Sequence, residues 1–160
     1  MKSFVYVFWV VVSILGFSCQ RQKATTEEIK GRNLVKRWVT AINETRSVDV
    51  FGDYLATDYI WHLPANDVCG LVNVKKEFAD AFSRSNDFHL RADDIIVGSG
   101  KVVVRWTISG MSKTSGEKWT NSSITIDRFG GGKFLEGWEI GSDKPWVELT
   151  PTESVKKPIN

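Results

Sequence analysis

Residues 101–141 read K-V-V-V-R-W-T-I-S-G-M-S-K-T-S-G-E-K-W-T-N-S-S-I-T-I-D-R-F-G-G-G-K-F-L-E-G-W-E-I-G. β-branched and aromatic residues fill this stretch, and small polar clusters interrupt it. Ser112–Gly116 and Gly130-Gly131-Gly132 are turn signals. With Phe88–Val97 and the Gly98-Ser99-Gly100 turn upstream, the pattern predicts four strands: Phe88–Val97, Lys101–Ser109, Glu117–Phe129 and Lys133–Gly141. Connections this short join antiparallel neighbours, so the expectation is a meander.

Upstream of Asn86 the period changes. Ile29, Leu34, Trp38, Ala41 and Ile42 recur at helical spacing, and Thr25 or Thr26 can cap the helix, with Glu28 three residues beyond Thr25 as the reciprocal partner. A short helix is expected over Val48–Leu55, then a strand over Tyr59–Leu63 stopped by Pro64. Ala65–Gly70 reads as a loop. A third helix is expected over Val72–Arg84, with Val74, Phe78, Ala81 and Phe82 on its buried face. Helices first and strands later make an α+β fold, the helices lying on one face of a bent sheet.

The order and the local strings resemble a known family. T-A-I-N-E-T-R-S-V-D-V-F-G-D-Y-L-A-T-D-Y-I-W-H-L-P (residues 40–64) is similar to the opening half of a SnoaL-like domain. K-V-V-V-R-W-T-I-S-G and D-R-F-G-G-G-K-F-L-E-G-W-E-I resemble its two most recognisable strands. The resemblance covers about residues 34–143. It implies the nuclear-transport-factor-two-like architecture: a cone-shaped half-barrel, three N-terminal helices packed on a curved antiparallel sheet that encloses a pocket. The domain is then expected over residues 29–144, with a loosely held tail over 145–160. The fold hosts many chemistries, so the resemblance implies a pocket more strongly than a reaction.

Seven Trp in 160 residues exceed what a small core needs. They serve either as packing or as the wall of a pocket for a flat apolar or aromatic molecule. Trp38, Tyr59, Trp61, Arg105, Trp106 and Trp138 are the candidate ligand-binding residues. His62 is the leading titratable candidate, because imidazole exchanges protons near neutral pH. Its structural alternative is a hydrogen-bonded histidine at a strand end. His89 is expected to face solvent. Asp143 and Glu139 are the candidate acids. SnoaL-like cyclases use an Asp in the pocket; the position implied here is Ser142, and Asp143 is one residue later. Asp127 reads as a surface partner for a basic residue.

Two catalytic layouts of the superfamily are missing. Ketosteroid isomerases carry a base where this chain has Leu63. The limonene-epoxide-hydrolase pattern needs an Asp two residues after Arg, and Thr107 follows Arg105. Strand alternation groups Val102, Val104, Trp106 and Ile108; Trp119, Asn121, Ser123, Thr125 and Asp127; and Phe134, Glu136, Trp138 and Ile140. It does not say which group faces the pocket. Three functions stay open: a small-molecule binding pocket, an enzyme moving protons next to a carbonyl, and a module that dimerises through the convex sheet face. A homodimer is expected.

The N-terminus adds a location. Lys2 precedes an uncharged run from Ser3 to Cys19. Its apolar part is roughly 14 residues, short of the ~20 that span a bilayer. Small residues before Cys19 resemble a bacterial lipobox, which implies a signal over 1–18, a lipidated Cys19, a polar tether over 19–28 and a lipid-anchored place in the bacterial cell envelope. Cys69 would then be the sole thiol, expected as a small buried apolar residue. His62 and His89 have no metal-ligand spacing, so no metal and no cofactor are expected. A net charge of +2, with 25% charged residues, argues against a nucleic-acid partner.

Overall fold

The computed structural model describes residues 24–141. Helix α1 (Thr26–Thr45) starts where the capping pair predicted. Thr25 Oγ1 accepts from the Glu28 amide at 3.2 Å, and Glu28 Oε2 accepts from the Thr25 amide at 2.6 Å. The tether expected over 19–28 is therefore helical from Thr26 onward. A 3-10 turn (Val48–Val50) runs into the one-turn helix α2 (Phe51–Tyr54). Strand β1 (Leu55–His62), strand β2 (Asp67–Cys69) and helix α3 (Leu71–Arg84) follow. The meander is β3 (Ser85–Gly98), β4 (Lys101–Ser112), β5 (Lys118–Gly130) and β6 (Lys133–Gly141).

The sheet order is β2-β1-β6-β5-β4-β3. Three helical segments pack on the inner face of this curved, unclosed sheet. Three expectations need correction. The sheet is mixed, because β1 runs parallel to β6, with Ile60 opposite Glu136 and Trp61 opposite Gly137. Turn residues reveal only hairpin neighbours, and these partners lie far apart in the chain. The loop expected over Ala65–Gly70 also contains β2, antiparallel to β1. Cys69 is exposed there, not buried, because the strand turns it outward at the sheet edge.

The core lies between α1, α3 and the inner sheet face. Leu34, Val35 and Ile42 of α1 meet Val102 and Val104 of β4 and Phe88 of β3, all almost fully buried. Trp38 anchors an aromatic cluster, with Phe51 at 4.7 Å and Phe78 and Phe134 at 6.2 and 6.3 Å, all edge-on. Such contacts each add about 0.5–1.5 kcal/mol beyond area burial. No helix of the described residues is long and apolar enough to cross a membrane.

Candidate functional site

The inner face is now defined. On β4 it carries Val102, Val104, Trp106 and Ile108; on β5 it carries Trp119, Asn121, Ser123, Thr125 and Asp127. On β6 strict alternation fails. Arg128 pairs with Glu136 but Phe129 pairs with Phe134, so Leu135 is an extra residue in a bulge. The bulge reverses the phase after Phe134. Gly137 and Glu139 then face inward, while Glu136, Trp138 and Ile140 face out.

Between this face and the helices lies a cavity of about 70 Å³, partly open to solvent. A water needs roughly 10–15 Å³ of such space, so the cavity has room for several waters or a small organic molecule. Its walls are mostly rings and aliphatic groups: Trp38, Trp61, Phe78, Trp106 and Phe134 with Leu55, Val74, Leu90 and Ile108. Tyr59, Ser123, Thr125, Asp127 and Glu139 are the polar exceptions.

Those five converge from three adjacent strands. The Tyr59 phenol donates to Asp127 Oδ1 at 2.9 Å. The Thr125 hydroxyl donates to Asp127 Oδ2 at 2.7 Å and accepts from the Trp106 indole N–H at 3.0 Å. The Trp61 indole N–H donates to Glu139 Oε2 at 3.0 Å. Ser123 Oγ is buried and makes no hydrogen bond of normal geometry, although its hydroxyl lies near enough to Glu139 to favour the ionised carboxyl. Gly137 makes the approach possible, since a Cβ there would collide with both the Tyr59 phenol and the Asp127 carboxyl.

Burial sets the protonation of this group. It raises Asp127 from the usual 3.8 to about 6; the Thr125 and Tyr59 hydroxyls pull part of the way back, and the nearby Glu139 charge pushes up. Burial also raises Glu139, against the pull of Ser123 and Trp61. Tyr59 stays protonated, held well above its ordinary value by burial and by Asp127. Two carboxyls in one apolar cavity, one titrating close to neutrality, can exchange protons with a bound molecule.

The candidates separate cleanly by face. Trp38, Tyr59, Trp61, Trp106 and Glu139 line the cavity. Arg105 does not: it points out from β4 and pairs with Asp93 at 3.1 Å. Trp138 is also outside, turned there by the bulge, and is 37% exposed. His62 follows Trp61 on β1 and so faces the opposite side. There it stacks on Trp138, with ring centroids 5.0 Å apart. Its Nδ1 lies 2.8 Å from Asp67 and its Nε2 3.1 Å from Glu136. These bonds, Glu136 first, raise its pKa above 6.5 and favour the imidazolium. Asp127 is buried in the cavity rather than at the surface. Asp143 and Cys19 lie outside the described residues. Among the described residues no group of side chains could hold a metal ion.

A SnoaL-like domain model matches residues 35–137. The chain belongs to the SnoaL-like domain family. No curated protein matches it. Solved structures agree on the fold. TsrD from Streptomyces laurentii shares 22% identity with a TM-score of 0.64, covering 74% of this chain and 92% of its own. A protein from Jannaschia sp., provisionally named a SnoaL-like polyketide cyclase, shares 16% with a TM-score of 0.67, covering 76% and 91%. A protein of ketosteroid isomerase-like fold from Catenulispora acidiphila, solved with trimethylamine, shares 16% with a TM-score of 0.61, covering 70% and 87%.

Proposed function

We propose that this SnoaL-like domain is an acid–base enzyme acting on a small, largely apolar molecule that carries a carbonyl group. The observation behind it is the placement of Asp127 and Glu139 together in one ring-walled cavity, both with raised pKa values. Glu139, when ionised, takes a proton from the carbon next to the carbonyl. Asp127, protonated for part of the population near neutral pH, gives its proton to the carbonyl oxygen, with the Tyr59 phenol beside it. The product is an enol. Return of the proton to a different carbon, with loss of the enol O–H proton to Asp127, completes an isomerisation; attack of the enol carbon on a second carbonyl of the same molecule, whose oxygen takes up the proton as the enol O–H gives one up, completes a ring closure. Relatives provisionally named polyketide cyclases accord with this class of chemistry.

The test is deuterium exchange. The protein is incubated in D2O with a panel of cyclic and aryl ketones, and loss of the α-proton signal is followed by NMR. Exchange by the native protein, abolished in Glu139→Gln, supports the enzyme. Saturable ligand binding with no exchange for any ketone would leave a binding pocket without turnover.

The outer sheet face supports a second, compatible reading, a homodimer. Ile96, Ile124, Ile126, Trp138 and Ile140 are all exposed there. Ile96, Val103, Ile126, Trp138 and His62 form one continuous row of paired positions across five strands. Ion pairs border the apolar rows on both sides, Arg91 and Arg105 with Asp93 on one and Glu136 with Arg128 and His62 on the other. The N-terminal reading is likewise a proposal: residues 1–18 leave, Cys19 is acylated, and the domain works in the cell envelope. The mass of the mature N-terminus decides it, since an unmodified Cys19 or retained residues 1–18 would exclude the anchor.

A further inference from the structure

We propose that the groove between α1 and the β5–β6 turn binds the headgroup of an anionic phospholipid. The groove encloses about 730 Å³. Lys30, Asn33, Lys36 and Arg37 of α1 form one wall, and Gly130, Gly131 and Gly132 the other. Leu34 and Phe129 make an apolar floor. Among the described residues no acidic side chain lines it.

Among the described residues the cations there are unpaired. Arg46, Arg84, Arg91, Arg105 and Arg128 each pair with a carboxylate. Lys30, Lys36 and Arg37 have no carboxylate partner among the described residues. The acids near the start of α1 are engaged elsewhere: Glu28 closes the cap, and Glu27 accepts from the Gly100 amide. The Arg37 guanidinium lies 6.0 Å over the Tyr54 ring, which orients its fork without neutralising it.

The turn supplies neutral donors. Gly131 and Gly132 have φ of 58° and 81°, and Gly130 pairs with Lys133, so the two central amides take no part in the strand ladder. A Cβ at either glycine would meet nothing within 4 Å, so both border open space. One guanidinium fork, two lysine ammonium groups, backbone N–H groups and an apolar floor together match a phosphate oxyanion that carries hydrocarbon. Lys30 sits on the second turn of α1, just after the expected tether, and Lys36 and Arg37 follow about two turns further along. That anchor reading supplies only the source of the lipid; the chemistry of the groove is independent of it.

The test is native mass spectrometry of the full chain in a neutral detergent, titrated with phosphatidylglycerol, phosphatidylcholine or inorganic phosphate. The expected result is a saturable phosphatidylglycerol adduct, with phosphatidylcholine at least tenfold weaker. Removing a cation near a lipid headgroup costs roughly fivefold, so the double variant Lys30→Gln, Arg37→Gln is expected to lose tenfold or more. A Lys113→Gln control, on another face, is expected to bind as the native chain does, and unchanged melting curves confirm that the variants fold. Equal phosphatidylglycerol and phosphatidylcholine adducts, or an unaffected double variant, would overturn the proposal. Inorganic phosphate bound as tightly as the lipid would replace the lipid by a soluble phosphate. A Cys19→Ser chain, which cannot be acylated, is expected to give the same adduct, so failure of the anchor reading is seen separately.

Discussion

Replacing Asp127 by Asn is expected to stabilise the domain at pH 8 and to leave it unchanged or weaker at pH 4.5. The carboxyl titrates at about 6 in the fold, against the usual 3.8. A difference of about 2 units corresponds to about 3 kcal/mol between the two protonation states. The sign follows from proton binding. Between these two values the folded chain holds the proton more tightly than the unfolded chain, so stability falls as pH rises from about 4 to about 6, then levels off. Asn cannot ionise and escapes this loss. It can still accept from the Tyr59 phenol, but the Thr125 hydroxyl loses its acceptor, a cost of about 1 kcal/mol. The net expectation at pH 8 is about 2 kcal/mol in favour of the variant, shrinking to about zero at pH 4.5, where roughly 1 kcal/mol of the ionisation cost is already present and offsets the lost hydrogen bond. Urea unfolding of both proteins from pH 4.5 to 8 reads this directly. Other titrating groups act on both proteins and largely cancel in the difference. A difference that stays constant across that range would refute a buried, strained Asp127.

Three further outcomes follow from the geometry. Gly137→Ala puts a methyl group against Tyr59 and Asp127, so it is expected to destabilise by about 1–3 kcal/mol in thermal melts and to weaken ligand binding. The His62 imidazole is expected to titrate above 6.5 by NMR and to move back toward 6.5 in Glu136→Gln, because the Glu136 bond is the first cause of its shift; its contribution to stability is full below 6.5 and is lost as pH rises through the raised value. Ile126→Glu on the outer face is expected to give monomers by sedimentation velocity where the native chain gives dimers, with the cavity side chains unaffected.

Helices and strands were legible because their signals are local. The Thr25 and Glu28 cap, the stripe through Leu34 and Trp38, and the glycine turns each act within a few residues. The parallel pairing of β1 with β6 is set by contacts between distant segments and left no local mark. The bulge at Leu135 decided the site, since it turned Glu139 inward and Trp138 outward. One further signal was present but pointed the wrong way. On β5 the buried face is the polar one, Asn121, Ser123, Thr125 and Asp127, while Ile124 and Ile126 are exposed. Ordinary amphipathic reasoning places such a strand inside out. The inversion marks a polar pocket lining on one side and an apolar outer face on the other. His62 lies outside the cavity for a simple reason: it is one position after Trp61, and neighbouring strand residues point to opposite faces.

The most direct measurement of the central claim is a carbon-13 NMR titration of the Asp127 carboxyl, assigned with the Asp127→Asn variant. A midpoint near pH 6 that moves when a cavity ligand is added is the expected result. A midpoint near 3.8, indifferent to ligand, would show an ordinary surface-like carboxylate and contradict a poised acid in the pocket.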